Sequence, residues 1–188
     1  LAVSEKEMVQ RAVSELGYPV IVRPSYVLGG RAMELIYTES DLTNYVNNRV
    51  EISPDNPLLI EEFLEDATEI DIDLISDGEN VLIGGILQHI EEAGIHSGDS
   101  SCSFPPYSVA EKKILELKKE IKGVAKKLNV KGLMNAQVAI KNDEFYMIEV
   151  NPRASRTIPF LSKCLGHSLA KLSSKVLIGN SLKDLGFS

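Results

Sequence analysis

The sequence has only two cysteines, Cys102 and Cys164, far apart along 188 residues. With no secretory pattern they read as free thiols in a reducing, cytoplasmic compartment. No Cys/His pair has zinc-ligand spacing, so a zinc site is not expected. No apolar run approaches the ~18 residues of a membrane-spanning helix. Basic charge is in deficit: 20 Lys and Arg stand against 27 Asp and Glu, a net −7 with a pI of about 5.1. That argues against nucleic acid or an anionic membrane as the main partner, though not against nucleotides, which local groups can hold. There is no Walker loop, no three-glycine Rossmann turn, no repeat and no low-complexity tract. The first residue is Leu1 rather than Met, so a piece of a longer protein is expected. Apolar content of 44% and charged content of 25% suit a globular chain with a core, of one or two domains.

Short elements are legible in order. Ser4 and Glu7 have capping-box spacing before Met8, Val9, Ala12, Val13 and Leu16, with Gly17 closing a helix. Strands are expected over 19–23 and 33–37, joined through Gly29 and Gly30, then a helix over 39–50 and a strand over 58–63. Residues 69–76 alternate, with Ile70, Ile72 and Leu74 on one face and Glu69, Asp71 and Asp73 on the other. Residues 77–80 read as a hairpin turn into a return strand over 81–90. A polar loop over 91–103 follows. The longest helix is expected over 109–130, with Ile114, Leu117, Ile121, Val124 and Leu128 inward. Its seven lysines read as a solvated face, because no aromatic residues interleave them. Strands over 133–140 and 145–150 form a hairpin, and helices over 158–165 and 168–178 close the chain. Irregular alternation of these elements predicts an α+β fold with mainly antiparallel sheet.

Four constellations carry chemistry. On the last strand, Glu149 and Asn151 share a face at period two, Pro152 ends the ladder, and Arg153 and Arg156 follow. If Lys141 stands opposite Phe145, Gln137 lies opposite Glu149 and Asn135 opposite Asn151. Hard oxygen donors on adjacent strands suit a divalent metal carrying a phosphate; the plainer alternative is a strand Glu paired with an Arg. Arg23 with Gly29 and Gly30 reads either as a phosphate clamp or as a tight hairpin. Glu61, Glu62 and Glu69 read as acceptors for an adenine amine or ribose, or as surface acids. The stretch Gly94-Ile-His-Ser-Gly-Asp-Ser100 lacks a nucleophile elbow and fits a ligand-fixing loop better than a Ser/His/Asp triad. Together these predict a nucleoside-triphosphate site without a Walker loop.

The stretches Tyr18-Pro-Val-Ile-Val-Arg-Pro-Ser-Tyr-Val-Leu-Gly-Gly-Arg-Ala32, Gly94-Ile-His-Ser-Gly-Asp-Ser100 and Met147-Ile-Glu-Val-Asn-Pro-Arg-Ala154 resemble the signatures of carbamoyl-phosphate synthase large subunits, over nearly the whole chain. The resemblance implies an ATP-grasp fold, with a small lid near residues 1–65 and a metal-bearing remainder near 66–188, clamping ATP. Gly-Gly-Arg-Ala-Met33 and Gly-Leu-Met-Asn135 look like the second half of that subunit, which phosphorylates carbamate for pyrimidine and arginine biosynthesis. It implies that Arg23, Gly29 and Gly30 meet ATP phosphates, Glu62 and Leu64 the adenine edge, and Glu69 the ribose. Gly94, Ile95, His96 and Ser97 would line the nucleotide. Gln137 and Glu149 would bind two Mg²⁺ or Mn²⁺, Asn151 one of them. Arg153 and Arg156 would meet the γ-phosphate and carbamate. The resemblance also admits a K⁺ site near Glu69, His89, Glu91 and Ser101. Family members often have His where Glu62 stands, a change that a backbone contact tolerates. Implied partners are the rest of the large subunit and a glutamine amidotransferase subunit. The family's preceding domain, which adds an Arg to the nucleotide, has no counterpart in this sequence. Alternatives are another ATP-grasp ligase or carboxylase, and a nucleotide-binding fragment without turnover.

Overall fold

The computed structural model describes residues 1–25, 32–91, 93, 95 and 99–187. They divide into two compact units, Leu1–Leu64 and Glu65–Ser188.

The first unit is a four-stranded antiparallel sheet in the order β1-β4-β2-β3, with β1 Ala2–Val3, β2 Val20–Pro24, β3 Glu34–Ile36 and β4 Leu58–Glu62. Helices α1 (Lys6–Leu16) and α2 (Glu39–Asn48) bury one apolar stripe each. Val9, Ala12 and Val13 from α1 and Leu42, Tyr45 and Val46 from α2 join Val20, Val22, Ile36, Leu58 and Ile60 in one core. The anticipated capping box does not form. Glu5 takes the N-cap with no side-chain bond, so the helix starts one residue after Ser4 could have capped it. Thr38 does cap α2, accepting from the Asp41 N–H at 3.2 Å.

The second unit is a five-stranded antiparallel sheet, β7-β6-β5-β8-β9. Its strands are β5 Thr68–Ser76, β6 Val81–His89, β7 Cys102–Ser103, β8 Gly132–Lys141 and β9 Glu144–Asn151. The short β7 was not legible within the polar loop; it adds to the edge of β6 by pairing His89 with Cys102. One face carries Ile70, Ile72, Leu74, Met134, Ala136 and Val138 against Leu117, Ile121 and Ala125 of α3 (Glu111–Lys127). Leu128, assigned inward by periodicity, is 56% exposed, because the helix ends at Lys127. Of the α3 lysines, Lys112, Lys119, Lys122, Lys126 and Lys127 are exposed, whereas Lys118 is half-buried and so is Lys113, which bonds the Asp143 carbonyl at 2.6 Å above the Phe145 ring.

The opposite face is split. Toward one end, Ile75 and Leu87 meet α4 (Ile158–Leu165) and α5 (Leu169–Leu177) through Ile158, Leu161, Leu169 and Val176. Gly166 turns between these helices at φ 72°. Toward the other end the same face is polar, and it holds the residues described below. Gly85 marks the join. A Cβ there would sit 2.4 Å and 2.6 Å from the two terminal methyls of the fully buried Leu161. Gly85→Ala is therefore expected to lower stability by about 1–3 kcal/mol through overpacking. Chemical unfolding would show this, and Leu161→Ala in the same chain should cost less in the Gly85→Ala background than alone.

Candidate phosphoryl-transfer site

The polar half of the second sheet is built by register. Across β5 and β8, Asp71 pairs with Gln137 and Asp73 with Asn135. Across β8 and β9, Gln137 pairs with Glu149 and Asn135 with Asn151. The hairpin does not have the uniform register assumed from sequence. At its turn Lys141 faces Glu144 and Ile140 faces Phe145, one step from expectation. A bulge between Gln137 and Val138 then makes Ile148 the extra residue, which restores the Gln137–Glu149 pairing. The bulge thus aims Glu149 and Asn151 onto the face that carries Gln137.

The amide bonds sort the donors from the acceptors. Gln137 Nε2 donates to Glu69 Oε2 at 3.0 Å, and Asn151 Nδ2 donates to Glu149 Oε1 at 2.8 Å. Each amide spends its N–H on a carboxylate, which leaves Gln137 Oε1 and Asn151 Oδ1 as oxygen donors. With the second Glu149 oxygen they form a hard set from adjacent strands, suited to Mg²⁺ or Mn²⁺ rather than a soft metal. Gln137 is buried, whereas Glu149 is exposed.

Arg153 and Arg156 follow β9 and are exposed. Arg153 bonds the Ala154 carbonyl at 3.1 Å, and neither arginine has a carboxylate partner among the described residues. Among the described residues Glu149 has no Arg partner; its side chain accepts from Asn151. The loop after β9 is tied down by Thr157, whose hydroxyl donates to Asp73 and contacts Ser155 Oγ at 2.7 Å. Asp73 also accepts from Asn135 Nδ2 at 3.1 Å. Burial raises the Asp73 pKa; bonds from Ser155, Thr157 and Asn135 oppose the rise, and the Asp71 charge adds to it.

Of the groups weighed for K⁺, Glu69 meets His89 Nδ1 at 3.2 Å, and Glu91 accepts from the Ser101 N–H at 2.6 Å. His89 Nε2 stands 2.9 Å from Asp71. Bonds to Asp71 and then Glu69 push the His89 pKa up to about 9, against burial. A raised folded-state pKa stabilises the fold fully below the ordinary value of 6.5. That contribution is lost as pH rises through about 9. The melting temperature is expected to fall across this window, and the fall should be smaller in His89→Gln.

In the first unit, Arg23 sits half-buried on β2 and donates from Nε to Glu61 at 2.9 Å. Glu62 ends β4, exposed, opposite Val20, and Leu64 is half-buried just beyond. Ile95 is 41% exposed. Gly29, Gly30, Gly94, His96 and Ser97 lie outside the described residues. Sequence reasoning missed Asp71, Asp73 and Thr157 as site-building groups. The available signal was three carboxylates alternating inside a strand whose two neighbours had yet to be identified.

The family model described as carbamoyl-phosphate synthase L chain, ATP binding domain, matches residues 1–185. The chain is 53% identical over 184 residues to the carbamoyl phosphate synthase large chain of Pseudomonas putida, covering 98% of this chain and 17% of that protein. It is 51% identical over 180 residues to the carbamoyl phosphate synthase large chain, C-terminal section, of Aquifex aeolicus, covering 96% of this chain and 34% of that one. Among solved structures, biotin carboxylase from Campylobacter jejuni superposes with a TM-score of 0.75 at 21% identity, over 96% of this chain and 42% of that one. The biotin carboxylase domain of Hydrogenobacter thermophilus 2-oxoglutarate carboxylase, solved with MgADP and bicarbonate, gives 0.75 at 20% identity, over 96% of this chain and 41% of that one. These likenesses carry the fold, which is ATP-grasp.

Proposed function

Because the chain belongs to the family of carbamoyl-phosphate synthase L chain ATP-binding domains, we propose that it binds ATP with divalent cations and transfers the γ-phosphoryl group to carbamate. It would do so within a large chain of which it spans about a sixth of the P. putida relative. The observation that carries this reading is the oxygen set Gln137, Glu149 and Asn151, followed directly by the exposed Arg153 and Arg156. The match to a C-terminal section favours the second, carbamate-phosphorylating half.

Gln137, Glu149 and Asn151 would hold Mg²⁺ or Mn²⁺, two ions in all, which supply charge neutralisation on the phosphates. Arg23 and the Gly29–Gly30 stretch would hold phosphates, Glu62 and Leu64 the adenine edge, Glu69 the ribose, and Gly94, Ile95, His96 and Ser97 the nucleotide's flank. A carbamate oxygen attacks the γ-phosphorus, the bond to the β–γ bridging oxygen breaks, and ADP leaves with the electron pair. Carbamate is already an anion, so no general base is required. The protein's work is positioning and electrostatic stabilisation of the transferred group, the part given to Arg153 and Arg156. The remainder of the large chain and an amidotransferase subunit would supply the acceptor.

In the complete large chain, Arg156→Ala is expected to lower ATP formation from carbamoyl phosphate and ADP by about 10²-fold. A smaller loss is expected for Arg156→Lys. Activity equal to wild type in Arg156→Ala would remove this residue from the reaction.

A further inference from the structure

The second unit holds a cluster that phosphoryl transfer does not use. Asp71 of β5, His89 of β6 and Cys102 of β7 bring a carboxylate oxygen, an imidazole nitrogen and a thiol sulfur within 4.8 Å of one another. Asp71 and His89 are buried and Cys102 is half-buried. Three strands deliver them: His89 pairs with Cys102 across β6 and β7, and β5 lies on the other side of β6. No sequence spacing announces such a set, which is why the chain shows no zinc pattern when read linearly.

We propose that Asp71, His89 and Cys102 form a binding site for a borderline-soft divalent cation of the zinc class, with Glu69 as the outer partner that orients the imidazole.

The donor types carry the assignment. Thiolate, imidazole and carboxylate are the ligands such a cation takes, with water in a fourth position. Mg²⁺ and K⁺ prefer oxygen and gain nothing from the thiol. A tetrahedral ion holds its donor atoms roughly 3.5 Å apart, so the Asp71 oxygen and His89 Nε2, 2.9 Å apart here, would part slightly while the Cys102 thiol closes on both. The histidine is already arranged for ligation. Its Nδ1 is fixed by Glu69 at 3.2 Å while Nε2 points at Asp71 at 2.9 Å, the pattern in which a carboxylate sets a metal-bound imidazole. Burial, and then the charges of Asp71, Glu91 and Glu69, push the Cys102 thiol pKa up, so the thiol keeps its proton until a bound cation displaces it. Binding replaces the Nε2 proton and the thiol proton, both released to solvent, so one dication substitutes for two protons. Glu69 also accepts from Gln137 Nε2, so occupancy would be felt at the neighbouring oxygen set. The proposal stands whether or not carbamate is the acceptor.

The test uses Cd²⁺ and Zn²⁺ on the reduced chain carrying Cys164→Ser, which leaves Cys102 as the sole thiol. Cd²⁺ is expected to raise a thiolate charge-transfer band that saturates at one equivalent and that Zn²⁺ displaces but excess K⁺ does not. Cys102→Ser, a near-isosteric change at a half-buried position, should abolish the band. Glu69→Gln should weaken affinity about 10- to 100-fold, and Asp71→Asn at least as much, with circular dichroism matching the parent. A band that fails to saturate would overturn the proposal. So would an unchanged Cd²⁺ affinity in folded Asp71→Asn, since either outcome describes a lone thiol.

Discussion

Replacing Glu149 with alanine in the complete large chain is expected to cut ATP formation from carbamoyl phosphate and ADP by about 10²- to 10³-fold. Glu149 is the only carboxylate in the oxygen set that β8 and β9 present together; Gln137 and Asn151 contribute neutral amide oxygens. Without it, a divalent cation on that face keeps the amide dipoles and the phosphates but loses the carboxylate ligand of the set. Glu149→Gln preserves shape and is expected to lose nearly as much, because the charge rather than the volume holds the ion. Stability should barely move: the side chain is exposed on an edge strand, where substitutions usually stay within about 0.5 kcal/mol. A large loss of turnover with an unchanged melting temperature is the expected pair of results. Retention of most of the activity would sink the metal assignment.

Asp73→Ala is expected to damage both stability and turnover. Asp73 is fully buried and accepts from Asn135 and Thr157. Its removal takes the acceptor away from the buried Asn135 amide and the half-buried Thr157 hydroxyl; the amide is left unpaired while Thr157 still has Ser155 beside it, a cost of about 1–3 kcal/mol. It also releases Thr157, and with it the loop that carries Arg153 and Arg156. Thr157→Val should show the loop's share alone. Urea unfolding of the single and double variants would separate the terms: the double variant should cost less than the sum of the singles, because both remove the same bond. Fully additive costs would mean that Asp73 and Thr157 act independently.

How much of this was visible beforehand depends on the range of the interaction. The alternation of residues 69–76 named the two faces of β5 correctly, since period two is a local property. What it could not show is that Glu69, Asp71 and Asp73 are buried too, because that depends on β6 and β8 flanking them. The Gln137–Glu149 pairing was anticipated from a register that is wrong at the turn and right at the site. The difference is the extra residue Ile148, and nothing in an apolar strand sequence distinguishes a bulged residue from its neighbours. The capping box at Ser4 failed for a simpler reason: the residue after it took the cap. Leu128 kept the helical period one step past the helix's end. Asp71, His89 and Cys102 are drawn together by strands distant in sequence, and residue spacing carries no trace of that.

The proposed chemistry is tested most directly by following the γ-phosphoryl group. The complete large chain is given ATP labelled in that group, a divalent cation and freshly prepared carbamate. Label is expected in carbamoyl phosphate, with Glu149→Ala and chelation of the cation each removing it. Label confined to inorganic phosphate, or carbamoyl phosphate still labelled in Glu149→Ala, would contradict the assignment of this site to carbamate phosphorylation.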